Sequence, residues 1–204
     1  MMSLSVLLTK ALRKAKSLLF YVPVQISLPD WESAYGRGCW ERIAQLDERG
    51  HYSVIVGYVH HLKENAKILD VGCGEGLLKR RLCSAQYAYY LGFDISTNAI
   101  AKACTFCDDK SIFKINSIEE FDSSERFDII IFNESLYYVC YPLQVLKKYE
   151  AYLSSQGVFI VSMNRCRNTR ILFSDLDRRY TVLDEVTITN SKGAEWVVKV
   201  FSVS

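Results

Sequence analysis

An acidic residue followed by three glycines at alternate positions, Asp70-Val71-Gly72-Cys73-Gly74-Glu75-Gly76, comes directly after the apolar pair Ile68-Leu69. A chain that leaves a buried strand must turn sharply and admit a ligand to its backbone, and a residue without Cβ does this at low steric cost. A side chain at Gly72 or Gly74 is expected to fill the ligand's space. Leu77, Leu78 and Leu82 recur at helical spacing, so the loop is expected to open a helix whose N–H groups face a polar ligand. Asp94 closes the next apolar run, Ala88 to Phe93. It lies about one strand-helix-strand unit beyond Gly72, where a carboxylate can accept both hydroxyls of a ribose.

The dinucleotide fingerprint is G-x-G-x-x-G with a later acid, whereas this loop is D-x-G-x-G-x-G. An acid at position 70 repels a pyrophosphate and suits a ligand that carries an ammonium group. On these residues the chain resembles the class I S-adenosylmethionine-dependent methyltransferases, over about residues 31–203, with Asp70 to Gly76 as their glycine motif and Asp94 as their ribose acid. The resemblance implies an α/β, three-layer Rossmann-like fold. Its sheet has seven strands, mostly parallel with the last antiparallel, and helices on both faces. It also implies S-adenosylmethionine as cofactor and S-adenosylhomocysteine as product, held by Asp70, Gly72, Cys73, Gly74, Gly76, Asp94 and Ile95. Asn116, Ser117 and Ile118, at the exit of the expected strand Ile112–Ile115, correspond to the family's adenine position. The glycine spacing disfavours a nicotinamide oxidoreductase. A non-catalytic S-adenosylmethionine-binding or partner-binding protein on the same fold stays open.

Phe127-Asp128-Ile129-Ile130-Ile131-Phe132 is short and isoleucine-rich, as a central strand buried on both faces should be. Asn133-Glu134-Ser135-Leu136-Tyr137-Tyr138 then leaves the carboxyl edge, where open α/β sheets bind ligands. The resemblance places methyl transfer there, with Asn133 beside the cofactor and Tyr137 and Tyr138 shaping the pocket. Glu134 is read as a general base on the acceptor or, alternatively, as a cap or ion-pair partner. The family's N-terminal lid implies that Tyr35, Trp40, His51 and Tyr52 approach the donated methyl. His51 titrates near neutrality and is a second candidate base; aromatic anchoring of a lid helix is the competing reading. Asn164, Arg165, Arg167 and Arg170 follow the expected strand Val158–Val161 and are candidates for an anionic or sugar-phosphate acceptor. The transfer expected is direct in-line displacement onto oxygen or nitrogen of a small molecule, with a sugar or saccharide-lipid hydroxyl preferred.

The elements that must position these groups fit one core: 204 residues, half of them hydrophobic. A net charge of +2 with interspersed signs gives no electrostatic footprint for nucleic acid. Seven cysteines, an odd number, read as free thiols and point to a cytoplasmic setting. Cys104 and Cys107 lack the second pair that a zinc site needs, so no metal is expected. Helices are expected over about Asp47–Leu62, from Ser96 as N-cap to Cys107, and from Pro142 through Leu153. Ser154 to Gly157 reads as a turn, and Thr181–Thr189 with Glu195–Val203 as a terminal hairpin. The chain divides into residues 1–30, a basic amphipathic helix with a linker from Tyr21 to Asp30, and a methyltransferase domain over residues 31–204.

In residues 1–20, leucines and alanines share one helical face, while Lys10, Arg13, Lys14 and Lys16 lie toward the other. The helix either packs on its own domain or lies on a membrane surface. Deleting residues 1–20 separates the two: equal co-sedimentation with anionic liposomes ends the membrane reading, and loss of pelleting supports it.

Overall fold

The computed structural model describes residues 21–40 and 45–203, so the N-terminal helix expected over residues 1–20 lies outside the described residues. Seven strands run β1 (Ala66–Val71), β2 (Tyr87–Asp94), β3 (Ser111–Ile115), β4 (Phe127–Asn133), β5 (Leu153–Asn164), β6 (Thr181–Thr189) and β7 (Glu195–Ser202). They form one sheet in the order β3-β2-β1-β4-β5-β7-β6. The first five strands are parallel, and β7 enters antiparallel to both β5 and β6. The family expectation of seven strands with an antiparallel last strand is met.

The near-continuous burial of β1 and β4 follows from helices covering both faces. Leu69, Val71, Phe93, Ile130 and Phe132 pack on one side with α4 (Pro142–Tyr149) and α5 (Arg167–Asp177). Ile68, Tyr90, Ile129 and Ile131 pack on the other with α2 (Arg49–Leu62) and α3 (Thr97–Ala103). Strand order reverses between β1 and β4, so their carboxyl ends diverge and open a crevice there.

Four local expectations are corrected. The glycine loop opens no α-helix: Leu77 to Leu82 forms turns and a single 3-10 turn, Lys79–Arg81. Leu78 and Leu82 are buried, as their spacing suggested. However, the Arg81 side chain bonds back to the Leu77 carbonyl, and Leu82 N–H closes a three-residue turn on Lys79. Second, the stretch Tyr21 to Asp30 is not a free linker, and the boundary at 30/31 falls inside a helix, α1 (Leu28–Gly36). Pro29 fits the first turn, where its missing N–H costs nothing, and Ser27 caps it. Third, Ser154 to Gly157 lies inside β5 as a bulge, the register stepping from Phe127 opposite Leu153 to Ile129 opposite Val158. Fourth, α5 went unassigned in the sequence, although Leu172, Phe173 and Leu176 form its buried stripe.

The loop glycines also serve packing. At Gly72 (φ +73°) a Cβ would meet Ser135 Cβ at 2.6 Å, and at Gly76 (φ +73°) it would meet Ala103 Cβ at 3.0 Å. At Gly74 (φ +53°) it would meet the Tyr35 hydroxyl at 3.1 Å.

The lid helix α1 is held to α3 by a carboxylate. Glu32 accepts from the backbone N–H of Thr97 (2.6 Å) and Asn98 (3.2 Å) and from the Ser96 hydroxyl (2.9 Å), supplying from another helix the cap that α3 needs. Partial desolvation pushes its carboxyl upward, but these donors outweigh it and hold the group down at about 2. Glu32→Ala is therefore expected to lower stability by about 1 kcal/mol, read as a lower urea midpoint at unchanged slope.

Candidate active site

The crevice holds two adjoining chambers. The first, about 480 Å³, is bounded by the glycine loop, the β4 exit, α1, the start of α2 and the start of β7. The second, about 250 Å³, lies over the exits of β2 and β3. Gly72, Glu134, Trp31, Tyr35 and Tyr138 border both.

Of the residues singled out in the sequence, Asp70, Cys73, Gly74, Asn133, Trp40 and His51 line the first chamber. Asp94, Ile95, Asn116, Ser117 and Ile118 line the second. Gly76 lines neither; it lets the loop pack on Ala103 and Phe113. Asn164 reaches the first chamber, whereas Arg165, Arg167 and Arg170 do not, and Arg165 pairs with Glu195 at 3.2 Å.

Asp94 organises the second chamber. Its Oδ2 accepts the Gly74 N–H (3.0 Å) and its Oδ1 the Ser96 N–H (3.0 Å), while its backbone carbonyl accepts the Asn116 N–H (3.0 Å). Gly72 and Cys73 both donate to the Phe93 carbonyl at 2.9 Å. The loop's shape is thus held by the end of β2. Burial pushes the Asp94 carboxyl up, against the pull of these N–H groups. Asp94 with Ile95 and Ile118 beside Asn116 and Ser117 gives a carboxylate, apolar surface and polar edges, the set a nucleoside needs.

Asp70 sits at the floor of the first chamber, 2% exposed, and accepts the Tyr90 hydroxyl at 2.5 Å. Burial above all, with the neighbouring Asp94 charge adding, pushes its carboxyl up to about 7 despite that bond. A cationic group placed near it would favour the ionised form. The Cys73 thiol is pushed up by burial and by Asp70 and Asp94, and its sulfur packs against the Gly74 carbonyl, so it is no nucleophile.

Glu134 stands at the boundary of the two chambers with a left-handed backbone (φ 57°), an uncommon state for a residue with a Cβ. Its N–H donates to the Ser162 carbonyl at 2.9 Å, and Oε2 accepts the Tyr137 hydroxyl at 2.9 Å. Oε1 is sealed from solvent and has no partner in the protein. Desolvation pushes the carboxyl up to about 8 against the Tyr137 hydroxyl and the Asn164 N–H, with Glu48 adding to the rise.

His51 is 1% exposed, and neither ring nitrogen has a protein partner. Its ring stacks on Trp196 (5.2 Å, 21°) and leans on Tyr52 (4.4 Å). Burial, helped by the Arg81 charge, lowers it to about 3, so the imidazole is neutral at physiological pH. Trp31 packs on Tyr35, Trp40 and Tyr138, closing the aromatic wall above the chambers.

Sequence reasoning missed Trp196, Glu48 and Ser135. Trp196 had a findable signal: an antiparallel return of β7 pairs Trp196 with Asn164 and so brings the strand's first residues to the ligand edge. Ser135 binds the Val71 carbonyl at 2.6 Å and ties the two loops of the crevice together.

A family model described as a methyltransferase domain matches residues 62–196. The ubiquinone biosynthesis O-methyltransferase of Bradyrhizobium diazoefficiens is 36% identical over 103 residues, covering 48% of this chain and 40% of that protein. The chain spans less than half the length of the curated relatives it matches. Among solved structures, N-methyltransferase NodS from Bradyrhizobium japonicum WM9, in complex with S-adenosyl-L-homocysteine, superposes with a TM-score of 0.72 at 17% identity, covering 84% of this chain and 97% of NodS. The [4+2]-cyclase SpnF superposes at 0.71 with 12% identity, covering 91% of this chain and 100% of SpnF, so the fold by itself does not fix the chemistry. The family model covers most of the chain, and on that match the protein belongs to the S-adenosylmethionine-dependent methyltransferases.

Proposed function

We propose that the chain moves a methyl group from S-adenosylmethionine to a hydroxyl oxygen of a non-anionic small molecule by in-line displacement. The observation that carries this reading is Glu134: a strained, partly unpartnered carboxyl group with its proton affinity near neutrality, at the junction of the two chambers. In the proposal Asp94, Ile95, Asn116, Ser117 and Ile118 hold the nucleoside part of the cofactor, and Asp70 faces its ammonium. When bound, the cofactor supplies a methyl group on a sulfonium, already activated for transfer. The chain supplies placement and proton handling. Trp31, Tyr35 and Tyr138 exclude water, and Glu134 takes the acceptor's proton while Tyr137 steadies the carboxylate.

Oxygen is favoured over nitrogen because the curated relatives carry the name ubiquinone biosynthesis O-methyltransferase. An anionic acceptor is disfavoured because the charged residues lining the chambers, among the described residues, are all acids: Glu48, Asp70, Glu75, Asp94, Glu119 and Glu134. A sugar hydroxyl satisfies that condition and a sugar phosphate does not, because no arginine or lysine lines either chamber among the described residues.

Glu134→Gln should leave S-adenosylmethionine affinity within about twofold and cut kcat by about 100-fold or more. In the native protein kcat should rise with pH and level off above about 8, where the Glu134 carboxyl is ionised. Unchanged turnover in the variant would remove Glu134 from the chemistry, and binding of the cofactor without turnover of any hydroxyl acceptor would favour the non-catalytic reading.

Asp70 gives the second prediction. Its folded pKa is raised to about 7, so below that pH the ligand-free protein holds a proton that a bound ammonium must expel. Affinity for S-adenosylmethionine should therefore rise with pH by about tenfold per unit below 7 and flatten above it. The slope should vanish in Asp70→Asn. Without ligand the sign is opposite for stability. Asp70 and Glu134 both hold protons better folded than unfolded, whereas His51 holds its proton less well and opposes them below about 6.5, so the fall in melting temperature with rising pH should be steepest between about 6.5 and 8.

A further inference from the structure

We propose that Cys104 and Cys107 form a reversible dithiol–disulfide couple at the end of α3, a modification site that reacts with a low-molecular-weight disulfide and whose closure braces the turn behind the glycine loop.

Neither cysteine lines a chamber, so methyl transfer leaves the pair unused. It lies between β2 and β3, and a C-x-x-C spacing in a strand-helix-strand setting is one that redox dithiols use. At its end α3 tightens into a single 3-10 turn, Cys104–Phe106, closed by the Cys107 N–H on the Cys104 carbonyl at 3.2 Å. One such turn advances about 6 Å over three residues and eclipses the side chains at its two ends. Disulfide-linked residues have Cα atoms about 4.4–6.8 Å apart, so the turn as it stands holds the two cysteines at a bonding separation. Cys107 leaves the helix only in ψ (146°); its φ of −61° is still helical, so its Cβ keeps the direction that faces Cys104.

Both residues are exposed, as exchange with a small disulfide requires. Partial desolvation and the Cys104 sulfur, with which it hydrogen-bonds, push the Cys107 thiol up, while Ser111 and Lys79 oppose. Cys107, which holds its proton, is therefore the resolving thiol and Cys104 the attacking one. The Cys104 thiolate attacks one sulfur of glutathione disulfide and releases one glutathione, leaving a mixed disulfide. Cys107 gives its proton to solvent and attacks the Cys104 sulfur, releasing the second glutathione. Two protein thiols are oxidised to one disulfide as one disulfide is reduced to two thiols, so the electrons balance. The second step is intramolecular across one turn, which favours it over a lasting mixed disulfide. Cys73 is a poor competitor for Cys104, because burial pushes its thiol up and its sulfur packs against the Gly74 carbonyl.

The turn bears on the cofactor loop from behind. Ala103, the residue before Cys104, is what a Cβ at Gly76 would meet at 3.0 Å. The Phe106 carbonyl, inside the turn, accepts the buried Lys79 amine at 3.2 Å, and Asp108, just beyond it, pairs with the same amine at 3.1 Å. A link made in this geometry keeps those contacts and restricts the unfolded chain, so it stabilises the turn without reshaping the loop.

The test incubates the full chain, reduced and freed of reductant, with glutathione disulfide, then alkylates it in denaturant and maps the peptides by mass spectrometry. The peptide holding both cysteines should be lighter by about 2 Da, with neither glutathione nor alkyl group, and dithiothreitol should restore both thiols. Cys104→Ser should leave Cys107 as a glutathione adduct, and Cys107→Ser should leave Cys104 as one. The oxidised native protein should melt about 2–6 °C above the reduced one, a difference that either variant treated alike should lack. Calorimetric affinity for S-adenosylmethionine should stay within about twofold of the reduced protein.

Glutathione adducts or free thiols on both cysteines, a link from Cys104 to Cys73, or a link between two chains overturns the couple. An oxidised protein that carries the Cys104–Cys107 link but melts no higher, or loses more than about twofold in cofactor affinity, overturns the bracing.

Discussion

The carboxylate of Asp94 is the junction through which the rest of the site is built. One oxygen holds the Gly74 N–H and the other the Ser96 N–H, so the glycine loop after β1 and the start of α3 share a single anchor. Ser96 in turn caps α3 through Ala99 and donates its hydroxyl to the Glu32 carboxylate of the lid helix. Lys102 completes the attachment, bonding the Tyr35 carbonyl and the Glu75 carboxylate. The loop, the helix and the lid are therefore coupled through charge-assisted bonds, several of them part-buried, which are stronger than bonds between neutral groups. With no α-helix following Gly76, this network performs the shaping that a helix start would otherwise supply.

The electrostatics of the crevice follow from its depth. Carboxyl groups removed from water resist ionisation, and Asp70 and Glu134 do so to the point of titrating near neutrality. In the proposed reading each lies where a ligand arrives, Asp70 near the ammonium of the cofactor and Glu134 beside the reacting hydroxyl. Among the described residues no lysine or arginine lines either chamber, and aromatic rings border both.

Much of this was legible in the sequence where local chemistry decides structure. The D-x-G-x-G-x-G loop, the isoleucine-rich β4, the Ser96 cap and the β-branched terminal hairpin each form from residues close in sequence, and the fold places them as read. What escaped depends on distant neighbours. Leucine spacing after Gly76 promised a helix, yet the turn there is set by Arg81 folding back on Leu77 and by Lys79 burying its amine against the Phe106 carbonyl and Asp108. The isolation of His51 from polar partners and the arrival of Trp196 beside it are products of the β7 return, which no window around either residue reveals. Arg165 looked like a ligand group only because its partner Glu195 lies on another strand.

The segment before the lid helix has a further consequence. Tyr21 donates its hydroxyl to the carbonyls of Tyr137 (2.6 Å) and Val139 (3.1 Å), and Val24 N–H also binds the Tyr137 carbonyl at 3.0 Å. Asn168 of α5 grips Val22 through both its N–H and its carbonyl. On the side of the β4 exit every one of these bonds ends on main-chain oxygen, which any amino acid provides. The side chains at 137 and 139 can therefore change identity without loosening the segment that crosses them. Substitution in that loop therefore leaves the closure of the site intact, while at Tyr137 it also removes the hydroxyl bonded to Glu134.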